Sequence, residues 1–148
     1  MSALTTTVKD ELALVEASIA STSVAEIATM FRFAGGIYIN SGRVALQAEL
    51  THAGSARRLR DLVRRVYRVE AELHTMSAGS RGVHHYVVRI GRDGERIARR
   101  IGLIDTYGRP VRGLPPTVVG GSKADAAAAW RAAFLARGAL LEPGRHAA

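Results

Sequence analysis

Two segments far apart in the chain echo each other. Phe31-Arg32-Phe33-Ala34-Gly35-Gly36-Ile37 and Ala132-Ala133-Phe134-Leu135-Ala136-Arg137-Gly138-Ala139-Leu140 each read as a helix of small and apolar residues that meets a glycine and then a strand-like start. Two helices cross closely only where small side chains let their backbones approach. Ala34, Gly35 and Gly36 on one segment, and Ala132, Ala133, Ala136 and Gly138 on the other, supply that surface. The expectation is a paired-helix interface, with each helix feeding its own sheet.

The pattern between the two echoes fills in the architecture. Val8, Leu12, Val15 and Ile19 recur at helical spacing, with Thr5 to Thr7 as candidate caps, so residues 1–20 read as an N-terminal helix. Ser23-Val24-Ala25-Glu26 reads as a capping box that opens a buried helix through Ile27, Met30 and Phe31. Ile37–Asn40 and Val44–Leu50 flank Ser41-Gly42 as a hairpin. Leu59, Leu62, Val63 and Val66 mark a helix from about Ser55, and strands are expected over Val69–Met76 and Val83–Ile90. Asp93 is placed to cap a helix carrying Ile97, Ile101 and Ile104. Residues 21–107 thus form one αββαββα half, 108–121 a proline- and arginine-bearing linker, and 122–148 the start of a second, incomplete half that reads as truncated. The fold class is α+β.

Composition narrows the chemistry. Among 148 residues there is no cysteine, which removes disulfides, thiolate zinc sites and thiol nucleophiles. The longest apolar run, Ala126 to Leu135, is broken by Trp130-Arg131 and is too short to span a bilayer, so no membrane role and a cytoplasmic location are expected. A net charge of +8 and a pI near 11.0 favour an anionic partner. Nearly all of that charge is arginine, for Lys9 and Lys123 are the only lysines.

The words Arg32-Phe33-Ala34-Gly35-Gly36, Ser41-Gly42-Arg43, Arg112-Gly113-Leu114-Pro115-Pro116 and Ala133-Phe134-Leu135-Ala136 resemble the N-terminal region of WhiA-type bacterial transcription regulators, over nearly the whole chain. That region has the architecture of LAGLIDADG homing endonucleases, so the resemblance implies a LAGLIDADG-like fold. In active LAGLIDADG enzymes an acidic residue stands just before each terminal glycine, and the two acids hold divalent metal at the scissile phosphates. Carried onto this chain, those positions are Gly35 and Arg137, where no carboxylate is available as a hard oxygen ligand. The resemblance therefore implies a non-catalytic domain without metal or cofactor. It also implies a regulator of sporulation or cell division associated with the nucleoid, which reads DNA mainly through a C-terminal helix-turn-helix outside these residues. Sigma factor, RNA polymerase or a partner regulator are the protein contacts it suggests. A homing endonuclease and a stand-alone basic nucleic-acid-binding module are the competing readings.

Strand alternation tests the saddle for DNA. If Val44, Leu46, Ala48 and Leu50 face the core, the other face carries Arg43, Gln47 and Glu49, joined by Glu70, Glu72, His74, His85 and Arg89 from later strands. That mixture of signs suits a phosphate backbone poorly. The candidate nucleic-acid or partner-binding residues are Arg43, Arg57, Arg58, Arg89, Arg109 and Arg112, with the proline-flanked Arg109/Arg112 segment the first choice, against an acidic partner or a phosphate. An arginine-rich helix face such as Arg57–Arg68 is better explained as solvated surface than as a docking surface. The histidines show no ligand spacing, and no metal site is expected.

Overall fold

A computed structural model describes residues 2–16, 20–78 and 83–140. The element order is α1 (Ala3–Leu12), α2 (Ala20–Ala34), β1 (Gly35–Asn40), β2 (Arg43–Leu50), α3 (Ala53–Tyr67), β3 (Glu72–Ala78), β4 (Val83–Ile90), α4 (Gly94–Arg100), α5 (Pro116–Val119) and α6 (Lys123–Arg137). The four strands form one antiparallel sheet in the order β1-β2-β4-β3. Two hairpins are thus joined through their second strands, with α3 carrying the chain from one to the other. In the first hairpin Asn40 pairs with Arg43, and the two turn residues, Ser41 and Gly42, both have positive φ, as a two-residue turn matching strand twist requires.

One face of the sheet is covered by α2 and α3, and the alternation of β2 follows from that. Leu46, Ala48 and Leu50 are fully buried beside Ile27, Met30 and Phe31 of α2 and Leu59, Leu62 and Val63 of α3. The register pairs Leu46 with Ile90 and Ala48 with Val88, so β4 contributes the same inward face. The opposite face is open and carries Arg43, Gln47, Glu49, Glu72, His74, His85 and Arg89. Helix α6 makes its most extensive contact with α2, through Ala128, Ala132, Leu135 and Ala136.

Several local expectations change. Helix α1 ends at Leu12, and its buried residues are Thr5 and Lys9 instead of Val8 and Leu12; Val15 is exposed, and Ile19 falls outside the described residues. Its cap is Ser2, whose hydroxyl accepts from the Thr5 amide. Helix α2 starts at Ala20, so Ser23 and Glu26 lie inside it and form no capping box; Glu26 is fully buried for a different purpose. Helix α3 begins at Ala53 behind His52, whose Nδ1 accepts from the Ser55 amide at 3.0 Å. With Nδ1 an acceptor, Nε2 carries the proton and donates to Asp10 at 2.7 Å. Strand β3 begins at Glu72, three residues later than its pattern suggests because Val69 and Ala71 are buried in the core ahead of the ladder. Asp93 occupies the N-cap of α4 without a side-chain capping bond and pairs instead with Arg96. The linker contains α5, whose Val118 is buried in the core.

Candidate phosphate and partner surfaces

The end of α2 is fixed by two glycines with different physical demands. At Gly35 a Cβ would lie 1.9 Å from the Gln47 carbonyl oxygen, so β2 leaves no space for any side chain. Gly36 has φ +147 with open space above it, a conformation that L side chains rarely adopt. The chain can turn from helix to strand here because neither residue has a side chain.

Helix α6 ends beside the same point. Its Arg137 Nε donates to the Phe33 carbonyl at 3.1 Å, and Nη2 donates to the Ala34 carbonyl at 3.4 Å. These are two of the last carbonyls of α2, which lack partners within their own helix and carry the negative end of its dipole. The guanidinium therefore closes one helix from the end of the other. Lys9 of α1 lies 3% exposed against α6, with its ammonium 5.9 Å from the centre of the Phe134 ring. Burial, and then the charge of Arg137, hold the Lys9 ammonium below the usual lysine range. The amine has no hydrogen-bond acceptor or carboxylate partner among the described residues. Helix α1 is held there by Thr5, whose Oγ1 accepts from the Leu140 amide at 2.9 Å.

Of the predicted interface residues, Ala34, Ala132 and Ala136 are buried, Ala133 and Gly138 are half-buried, and Gly35 and Gly36 stand at the turn. The predicted binding arginines are not brought together as one surface. Arg43 and Arg89 line a notch of about 580 Å³ with Arg92 and Glu95, at the end of the sheet. Glu95 is already paired with Arg99 at 3.2 Å. Arg57, Arg109 and Arg112 are exposed and distant in sequence from that notch; Arg109 pairs with Asp105 and stacks 5.1 Å over Tyr107. Backbone amides of Arg109 and Tyr107 donate to Asp105 and close the turn on it, and the Arg109 bond above all holds that carboxyl below its ordinary range.

Arg58 is not on the surface as expected: it is buried, its guanidinium bonded to both carboxylate oxygens of Glu26 and donating to the Ala13 carbonyl at 2.9 Å. Arg131 of α6 reaches the same carboxylate at 3.1 Å. Glu26 thus ties α2, α3, α6 and the segment after α1 into one buried ionic node. Sequence reasoning missed this node and Lys9. The available signal was an acid at the centre of an apolar helix face, and a lysine four residues after Thr5 on a helix of otherwise ambiguous facing.

The residues 20–104 match the model of the WhiA N-terminal LAGLIDADG-like domain. The chain belongs to the WhiA family. It is 53% identical over 147 residues to the probable cell division protein WhiA of Mycobacteroides abscessus, covering 99% of this chain and 45% of the relative. It is 52% identical, with the same coverage, to that of Arthrobacter sp. strain FB24. The chain therefore spans about half the length of the curated relatives it matches. Among solved structures it superposes on the N-terminal LAGLIDADG domain of DUF199/WhiA with a TM-score of 0.64 at 14% identity, covering 89% of this chain and 57% of that one. It also superposes on I-DmoI, solved in complex with DNA and Mn, with a TM-score of 0.52 at 10% identity, covering 80% of this chain and 63% of that one. Both likenesses establish the α+β LAGLIDADG-like fold.

The two positions that the resemblance assigns to metal, Gly35 and Arg137, offer no ligand. Gly35 has no side-chain oxygen and no room for one, and Arg137 brings a fixed cation that is already bonded to the facing carbonyls. Among the described residues no cluster of three histidines or carboxylates could hold a metal elsewhere. No helix among them is long and apolar enough to cross a membrane.

Proposed function

We propose that this chain is a non-catalytic regulatory domain of a WhiA-type transcription regulator. It would act in the cytoplasm at the nucleoid, in control of cell division or sporulation. It supports DNA binding by a helix-turn-helix expected outside these residues, and contacts sigma factor, RNA polymerase or a partner regulator. The observation that carries the reading is the pairing of Gly35 with Arg137 at the ends of α2 and α6. A nuclease of this fold needs oxygen ligands at both places to activate water and stabilise the leaving oxygen.

The protein-contact surface in this reading is the Arg109/Arg112 segment. Asp105 and Tyr107 fix Arg109, whereas Arg112 is exposed with no ion pair among the described residues. A planar guanidinium on a proline-flanked loop suits carboxylates of an acidic partner. The test is binding of the immobilised chain to RNA polymerase holoenzyme, to free sigma factor and to a partner regulator. The reading predicts saturable binding to one of them, weakened at least tenfold by the Arg109→Glu/Arg112→Glu double substitution (about 1.4 kcal/mol or more). Absence of binding to all three, or binding indifferent to both arginines, contradicts this surface.

A further inference from the structure

At one corner of the sheet β4 parts from β2. Their ladder ends at the pair Leu46 and Ile90, and β4 then leaves through Gly91, so Arg43, Val44 and Ala45 at the start of β2 are paired with β1 alone. The space left there is the notch of about 580 Å³ lined by Arg43, Arg89, Arg92 and Glu95. It is fixed by backbone, because α4 closes against β2: a Cβ on Gly94 would lie 2.8 Å from both the Ala45 Cα and the Val44 carbonyl oxygen. Arg89 is half-buried, and its Nη1 donates to Gln47 Oε1 at 3.4 Å, whereas Arg43 and Arg92 are exposed. None of the three has a carboxylate partner among the described residues. The carboxylates nearest in sequence to Arg92 are already taken, Asp93 by Arg96 at 3.3 Å and Glu95 by Arg99 at 3.2 Å. Three like charges gathered in one concavity and left uncompensated by the fold attract an anion from outside.

We propose that the Arg43/Arg89/Arg92 notch is a docking site for a short acidic segment of a partner protein, held through its carboxylate side chains. A guanidinium fork takes a carboxylate through two parallel hydrogen bonds, and forks gathered in one notch take neighbouring carboxylates of one segment together. Single exposed ion pairs are weak, so a free carboxylate would not be retained; several on one backbone would. The charge around the notch decides against a nucleic-acid strand. Arg89 stands in register with Glu72 on β3, and along β2 the outward polar positions after Arg43 are Gln47 and then Glu49. His85 and His74 pair with Glu49 and Glu72 at 3.0 and 3.3 Å but supply no fixed cation. A phosphate backbone carries charge at every nucleotide and would leave the notch over these carboxylates, whereas a short acidic run ends where the arginines end. A second copy of this chain is a poor occupant as well, since each copy carries a net charge of +8. The site goes beyond the Arg109/Arg112 surface and depends on neither of those residues.

The test uses a fluorescent peptide with three successive acidic residues in a glycine-serine frame, and a fluorescent DNA duplex, each titrated with the chain at physiological salt. Saturable peptide binding is expected. Arg89→Gln/Arg92→Gln should weaken it about fivefold, the scale of two partly exposed ion pairs. Arg57→Gln/Arg100→Gln removes the same charge from exposed positions outside the notch and should change it less than about twofold, since salt screens distant charges. Any affinity for the duplex should respond to the two double variants alike. A measurement on the wild type is independent of how the variants fold. The peptide should protect Arg43, Arg89 and Arg92 from phenylglyoxal, read by mass spectrometry, and leave Arg57 and Arg100 modified as before. No peptide binding, equal loss in the two double variants, no protection at the notch, or duplex affinity lost selectively in Arg89→Gln/Arg92→Gln would each overturn the site. Arg109 and Arg112 are intact in every variant, so these results leave the Arg109/Arg112 surface to its own test.

Discussion

Arg137 at the end of α6 donates from Nε to the carbonyl of Phe33 at the end of α2, across 3.1 Å. The two helices of the central crossing are therefore joined by a cation that belongs to the protein. Replacing Arg137 by alanine removes both bonds to α2 and leaves its terminal carbonyls to water. The expected loss is about 1 kcal/mol, since Arg137 is exposed and solvent replaces part of what is removed. Lysine should recover part of it through charge alone. Urea unfolding of the three proteins measures this; an alanine variant as stable as the wild type would show that the bonds contribute nothing.

Gly35 has a sharper requirement. Its Cβ position lies 1.9 Å from the Gln47 carbonyl oxygen and 2.9 Å from the Ala48 Cα, both backbone atoms that cannot move without breaking the β1/β2 ladder. Gly35→Ala is expected to cost several kcal/mol, on the scale of about 1–3 kcal/mol or more for overpacking. Gly35→Asp should be at least as destabilising, and so should fail to rebuild a metal site. Thermal unfolding of both variants tests this; a well-folded Gly35→Asp would contradict it.

The buried node at Glu26 makes the strongest stability claim. Arg58→Ala removes the guanidinium bonded to both oxygens of a carboxylate that is fully buried, leaving Arg131 as its remaining partner. Removing the sole partner of a buried charge costs about 3–5 kcal/mol, and with Arg131 still in place the loss is expected toward the lower end of that range. Arg57→Ala, one residue away and exposed, should lie within about 0.5 kcal/mol of wild type. Equal effects from the two substitutions in chemical unfolding would remove the node from the account.

Lys9 gives a pH signature with a definite sign. Burial and Arg137 lower its folded value below 10.5, so between the two values the unfolded chain binds more protons than the folded one. Stability therefore rises as pH climbs through the lowered value and levels off near 10.5. Tyr67 works in the opposite direction, because burial raises its folded value above 10.0 and its contribution fades as pH rises past that point. The difference in stability between wild type and Lys9→Met isolates the lysine. It should shift in favour of the wild type between pH 7 and 10.5; a flat difference would contradict a Lys9 value lowered by burial and Arg137.

Much of the fold is legible in the sequence, where local pattern and burial agree. The alternation of Val44 to Leu50, the Ser41-Gly42 turn and the apolar stripe of Leu59, Leu62 and Val63 each specify one element. The element order and the glycine-ended helix pair, taken with the words Arg32–Gly36, Ser41–Arg43, Arg112–Pro116 and Ala133–Ala136, resemble a LAGLIDADG-like architecture, which the solved structures support. The failures occur where tertiary pairing overrides local chemistry. Ser23 and Glu26 have the spacing of a capping box, yet the carboxylate is held by Arg58 from α3 and Arg131 from α6, and neither partner is signalled locally. Lys9 reads as an ordinary surface lysine until α6 packs over it. At the candidate site, the residue types at Gly35 and Arg137 are plain in the sequence, whereas the guanidinium's bonds to α2 depend on how the helices cross.

The central claim is that a protein cation and a bare backbone have replaced the metal-binding acids. Incubation of the purified chain with supercoiled plasmid in Mg²⁺ and in Mn²⁺, against an EDTA control, tests it most directly. The account predicts the same plasmid topology in all three. Metal-dependent nicking or linearisation that survives repurification and disappears with a point substitution beside Gly35 or Arg137 would contradict it.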